Sequence, residues 1–203
     1  MDTITRERVS VQLEGARELL EGASLCAAKG KRAPESLTCV ALRVDGESGQ
    51  LIARSTDRYR LIVGSITVEG EDRLSEILIS LPDIKRIVDL MKGITIGYLI
   101  IEREDSGRVS FRVMPLTASV TIDPLSHNFP TPENVAQLLK EPDTREPIGE
   151  ISFNPSLFAD FAKISGKDNP VKVTFTAANK PITIGLTGDK VAWSALLMPM
   201  RTV

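Results

Sequence analysis

The chain has 203 residues, 42% of them hydrophobic and 26% charged, with a formal net charge of -2. That is enough for one large or two modest cores, and the charge excludes a protein coated in basic residues without excluding local contact with nucleic acid. No apolar run approaches the ~20 residues that span a bilayer, and Met1 to Val9 lacks the apolar stretch of a signal peptide, so a cytoplasmic protein with no membrane partner is expected.

Val9 and Val11 alternate as a strand, and Ala16, Leu19, Leu20 and Ala23 follow at helical spacing. Cys26 and Cys39 fall in separate elements without the short spacing of a metal or redox pair, so both read as small core residues. Strand-like runs follow at Leu37 to Val44, Gln50 to Ala53 and Arg60 to Val68, with breaks at Asp45-Gly46 and Ser48-Gly49. Asp57, beside Thr56, reads as a turn former at a strand boundary.

Ile77, Ile79, Ile84, Ile87, Val88 and Met91 repeat the opening pattern 68 positions later (77 minus 9), and Pro82 marks the second helix start. Runs at Ile94 to Glu102, Val109 to Val113 and Ala118 to Ile122 complete that copy. Asp123 to Pro147 is rich in proline and charge. Within it Thr131-Pro132-Glu133 starts a short helix reaching Lys140, with Val135, Leu138 and Leu139 as its apolar stripe.

A third copy begins 74 positions after the second (151 minus 77) with Ile151, Phe153, Phe158, Phe161 and Ala162; Asn154 is its helix N-cap and Pro155 sits in the first turn. Its strands are expected at Val171 to Thr176, Ile182 to Leu186 and Val191 to Leu197. Pro199 then stops sheet pairing and leaves an apolar tail that invites a partner. The repeating unit is β-α-β-β-β, an α+β fold in which antiparallel strands cover one helix face and leave the other wet. The division expected is 1–124 as a domain of two units, 125–148 as a linker with a short helix, and 149–203 as a half domain.

Catalytic chemistry is missing. His127, the single histidine, lies in the proline-rich linker without a nearby Ser or Cys nucleophile, so neither a triad nor a histidine-based metal cluster can be built. The glycines make no Walker loop and no GxGxxG turn, and the carboxylates are scattered. No enzyme, metal site or cofactor is expected.

Three separated segments, in order, resemble those of the bacterial DNA polymerase III beta subunit, the sliding-clamp family. Ser55-Thr56-Asp57-Arg58-Tyr59-Arg60-Leu61 is similar to the family's ATDGHRL strand-turn segment, Phe129-Pro130 to the start of its FPDYRRV linker, and Leu197-Met198-Pro199-Met200-Arg201 to its VMPMR terminus. The resemblance implies a ring whose inner helices face duplex DNA without reading its sequence, and it would place Lys29, Lys31, Arg32, Lys85, Arg86, Lys92, Lys163 and Lys167 toward phosphates. It also implies a groove that takes short apolar motifs of a DNA polymerase and a clamp loader. Its walls would be Leu37, Thr56, Arg60, Leu61, Pro130, Val135, Leu196, Leu197, Met198, Pro199, Met200 and Arg201, with Thr56, Arg60 and Arg201 at the polar rim.

The chain departs from the family at Arg58 for glycine, Tyr59 for histidine and Asn134 for a basic residue. It also carries three units where a full clamp subunit has twice as many. Either the linker helix fills a degenerate fourth unit, or the subunit recruits a neighbour to cover an exposed sheet edge. The function implied is a homo-oligomeric DNA sliding clamp, a replication processivity factor; the alternative is a non-encircling adaptor or decoy that binds clamp partners.

Overall fold

The computed structural model describes residues 7–30, 32–69, 73–116, 118–140, 150–165 and 168–200. The first copy folds as strand β1 (Arg8–Gln12), helix α1 (Leu13–Cys26) and strands β2 (Cys39–Asp45), β3 (Gln50–Thr56) and β4 (Arg60–Thr67). The second repeats the order with β5 (Ile77–Ser80), α2 (Leu81–Leu90), β6 (Tyr98–Arg103), β7 (Val109–Met114) and β8 (Ser119–Ile122). Helix α3 (Pro132–Leu139) follows, and the third copy supplies α4 (Pro155–Ser165), β9 (Lys172–Thr174), β10 (Ile182–Thr187) and β11 (Ala192–Leu197). The expected α+β class of antiparallel sheets with helices is what the chain adopts.

The first two copies exchange their opening strands. β1 pairs with β6, giving the sheet β1-β6-β7-β8, and β5 pairs with β2. The second sheet runs β5-β2-β3-β4-β11-β10-β9, so the third copy extends the first across an antiparallel β4–β11 junction. Helix α1 packs on β3 and β4 and against both α2 and α4. Its stripe of Leu13, Ala16, Leu19, Leu20 and Ala23 is buried, as are Ile84, Ile87 and Val88 of α2, because their spacing places them on one helical face. Asn154 caps its helix as expected, its Oδ1 accepting from the Ser156 N–H, and the structure adds Ser80 Oγ accepting from the Asp83 N–H and Thr131 Oγ1 from Asn134.

Three expectations are corrected. Leu37 belongs to a 3-10 turn (Glu35–Leu37), so β2 starts at Cys39. The run at Ile94 pairs only from Tyr98, since Gly97 takes φ +151° and a Cβ there would stand 2.1 Å from the Met114 carbonyl oxygen. The opening strand of copy three reduces to one bridge, Ser152 to Met200, because no sister sheet lies beside it among the described residues.

The linker crosses the outer face of the seven-stranded sheet. Leu125 N–H donates to the Leu78 carbonyl at 2.9 Å, and Phe129 packs with Cys39, Ala41 and Leu78. Arg54, 2% exposed, ion-pairs with Glu76, donates to the Pro130 carbonyl at 2.9 Å, and lies 5.5 Å from the Phe129 ring centroid. This pinning delivers α3 to the β4–β11 junction. Among the described linker residues, 123–131 form no strand, and α3 packs at the β4–β11 junction.

Candidate functional site

The junction places Leu61 opposite Leu196 and Arg60 opposite Leu197, and the pairing continues as Met198 N–H donates to the Tyr59 carbonyl at 2.7 Å. Strand alternation sends Leu61 and Leu196 to the outer face. There, Val135 of α3 joins them in a small cluster separate from the main core, with Val63 and Leu139 against it. A cleft of about 120 Å³ opens beside this cluster, walled by Thr56, Leu61, Pro130, Val135, Leu196 and Met198, with Arg58, Arg60, Leu138 and Pro181 around them. Its lining is mostly apolar, suited to aliphatic or aromatic anchors.

Several expected wall residues go elsewhere. Leu197 is fully buried in the main core, since it alternates with Leu196 and faces the helices. Leu37 lines a neighbouring recess of about 570 Å³ with Lys29, Arg32, Arg58 and Tyr59. This recess is the larger hollow, but loop residues Ala27 to Pro34 make most of its wall, so the smaller cleft built on the apolar cluster is the stronger docking candidate. Pro199 is half-buried, and exposed Met200 donates its N–H to the Ser152 carbonyl at 2.7 Å. Arg201 lies outside the described residues.

Arg60 is a buried hub rather than a free rim cation. Its guanidinium donates to Asp57 at 2.9 Å, to Asp160 at 2.6 Å and to the carbonyls of Leu157 and Leu25, tying copies one and three together beneath the cleft. Burial pushes the Asp160 carboxyl up, but hydrogen bonds from Lys163 and Arg60 outweigh it and hold the group below the ordinary aspartate value. Asp57 is the turn former anticipated: its Oδ1 accepts from the N–H groups of Tyr59 and Arg60. Arg58 sits between them at φ +78°, the left-handed region that favours glycine.

Leu138 and Pro181 were missed as wall residues. Leu138 was visible as part of a helical stripe, but its side depends on where α3 docks; Pro181 carries no signal because only the β10 pairing brings it near. Of the expected DNA-facing residues, Lys29, Arg32 and Lys85 are exposed. Arg86 pairs with Asp83 at 2.8 Å, Lys92 with Asp89 at 2.5 Å and Lys163 with Asp160 at 2.5 Å. Lys31 and Lys167 lie outside the described residues. On α1, Glu14 and Glu21 are exposed, whereas Glu18 is half-buried and accepts from the Lys190 N–H at 3.0 Å and from Trp193 Nε1 at 3.4 Å.

Cys26 and Cys39 are buried free thiols, pushed by burial to about 12 and about 11. Among the described residues no group of His, Cys, Asp and Glu could hold a metal ion, and no helix is long and apolar enough to cross a membrane.

No protein-family model matches the sequence, and neither does any curated protein. Solved structures do match in fold. The DNA polymerase III beta subunit of Thermotoga maritima superposes over 97% of this chain with a TM-score of 0.76 at 16% identity, and the Caulobacter crescentus pol III beta over 100% with 0.78 at 14%. The Bacillus subtilis DNA polymerase sliding clamp matches over 98% with 0.74 at 16% identity. The chain spans 66% of the Thermotoga and Bacillus chains and 68% of the Caulobacter chain. The chain therefore has the fold of the DNA polymerase III beta sliding clamps.

Proposed function

We propose that the protein is a DNA sliding clamp, a non-enzymatic processivity factor that docks a polymerase and a clamp loader through short apolar motifs at the β4–β11 cleft. The observation that carries this is the meeting of Leu61, Leu196 and Val135 in an outward cluster of their own, bordered by exposed Met198 and Leu138. Leu61, Leu196 and Val135 are themselves buried and floor the cleft, so the surface offered to a partner is an apolar hollow with exposed Met198 and Leu138 on its rim. Homo-oligomerisation and a cytoplasmic location belong to the same reading.

A second reading, a non-encircling adaptor or decoy that keeps the cleft, draws support from the helix charges. Glu14 and Glu21 are exposed on α1, and Arg86, Lys92 and Lys163 are ion-paired, which leaves few free cations for a phosphate backbone. Retention on nicked circular DNA, with loss on linearisation, separates the two: a protein that never loads but binds the peptide is the adaptor. Binding itself is tested by removing Met198 to Val203, which should abolish capture of an apolar clamp-binding peptide while leaving the circular dichroism spectrum largely intact. Unchanged affinity overturns the assignment.

A further inference from the structure

All three copies hold their opening segment by the same backbone bond. The Ser10 carbonyl accepts from Glu69 N–H at 3.3 Å, the Leu78 carbonyl from Leu125 at 2.9 Å, and the Ser152 carbonyl from Met200 at 2.7 Å. These acceptors are equivalent in the repeat, separated by 68 (78 minus 10) and 74 (152 minus 78) positions. One side of each segment is thus satisfied alike.

The other side is not. Ser10 pairs with Ile100 on β6 and Leu78 with Ala41 on β2, so copies one and two each lend a strand to the other's sheet while α1 and α2 meet between them. Copy three offers the same two features, residues 151–153 and the outer edge of β9, and neither has a strand partner among the described residues. The 28 residues between Ile122 and Ile151 (150 minus 122) cannot hold a sister unit, and their helix is committed to the cleft.

Burial follows the missing partner. Val9 and Ile77 are 0% and 2% exposed and Val11 and Ile79 are buried, whereas the equivalent Ile151 and Phe153 are only partly buried at the margin of the main core. On the helices Leu20 and Val88 are buried, and their equivalent Ala162 is exposed. Ala162 lies about 200° around α4 from Asp160, on the flank turned away from the Arg60 contact. Its equivalents Leu20 and Val88 lie on the two helices of copies one and two that pack against each other.

We propose that copy three completes itself against copy three of a second chain. Residues 151–153 of each chain pair antiparallel with β9 of the other about a two-fold axis, and the two α4 helices pack at Ala162. A second copy is the occupant because it supplies the missing strand and the missing edge together, in the exchange already made by β1 with β6 and β5 with β2; an unrelated strand would cover only one of them. Ile151, Phe153, Val173 and Phe175 then gain the cover that their equivalents have. This assembly adds to the reading above without resting on it: a dimer that binds no peptide leaves it intact, and a monomer leaves the cleft intact.

The test is sedimentation equilibrium of the full chain at micromolar concentration, where a mass near twice 22.2 kDa is expected. Ala162→Arg should raise the dimer dissociation constant roughly a hundredfold or more by setting a charge in the interface, with circular dichroism unchanged because the site is exposed in the single chain. Independently, Ala162→Cys should form a disulfide-linked dimer on mild oxidation while Ser106→Cys, in the turn between β6 and β7, should not; Cys26 and Cys39 are buried and do not compete. A single-chain mass at all concentrations, a dimer indifferent to Ala162→Arg, or equal cross-linking from both cysteine variants overturns the proposal.

Discussion

Leu61 and Leu196 are partners across the β4–β11 junction, one from the first copy and one from the third, and Val135 of α3 closes over both. The cleft therefore exists only because the third copy extends the sheet of the first and the linker is pinned across its back.

Leu138→Glu should weaken binding of an apolar peptide at least about tenfold, since the charge would be drawn into an apolar cleft. Leu138 is 56% exposed, so stability should move by no more than about 0.5 kcal/mol. Isothermal titration alongside thermal melting checks both.

Arg58→Gly should stabilise the fold by about 1 kcal/mol, because φ +78° strains any side chain with a Cβ and the gain is partly offset by a freer unfolded chain. The urea midpoint should rise at an unchanged slope.

Gly64→Ala should destabilise by about 1 to 3 kcal/mol. A Cβ there would stand 2.3 Å from the Trp193 ring and 2.8 Å from Leu19, and both side chains are buried. Urea unfolding measures the loss, and an unchanged midpoint would contradict the packing of copy three on copy one.

The junction should be acid-sensitive. Asp160 is held below its ordinary value by Lys163 and Arg60 against the upward push of burial, so its contribution is complete above the unfolded value near about pH 4 and declines as pH falls through the lower folded value. Asp160→Asn should flatten that part of the stability profile while lowering stability at neutral pH. Urea midpoints measured across acid pH test it.

Much of the architecture was legible because the strands and helices of the first two copies bury one face, and burial imposes its period on the chain. Val9 and Val11 echo in Ile77 and Ile79, and Leu19 in Ile87, all now buried. The caps at Ser80, Thr131 and Asn154 obey local hydrogen-bond geometry, which short segments encode. The cleft was half legible: Leu61, Val135 and Leu196 could be named from motif, but Leu138 and Pro181 could not.

The amino-acid sequence by itself determined the repeating unit, the helix starts at Pro82, Pro132 and Pro155 and most of the strands, since propensity, capping and periodicity act over a few neighbouring residues. Only the tertiary structure decided that Leu196 faces the cleft while Leu197 enters the core, that Arg60 binds two aspartates instead of the rim, and that opening strands cross between copies. Those outcomes depend on register and on contacts between segments as far as 137 positions apart (197 minus 60), which no local pattern carries.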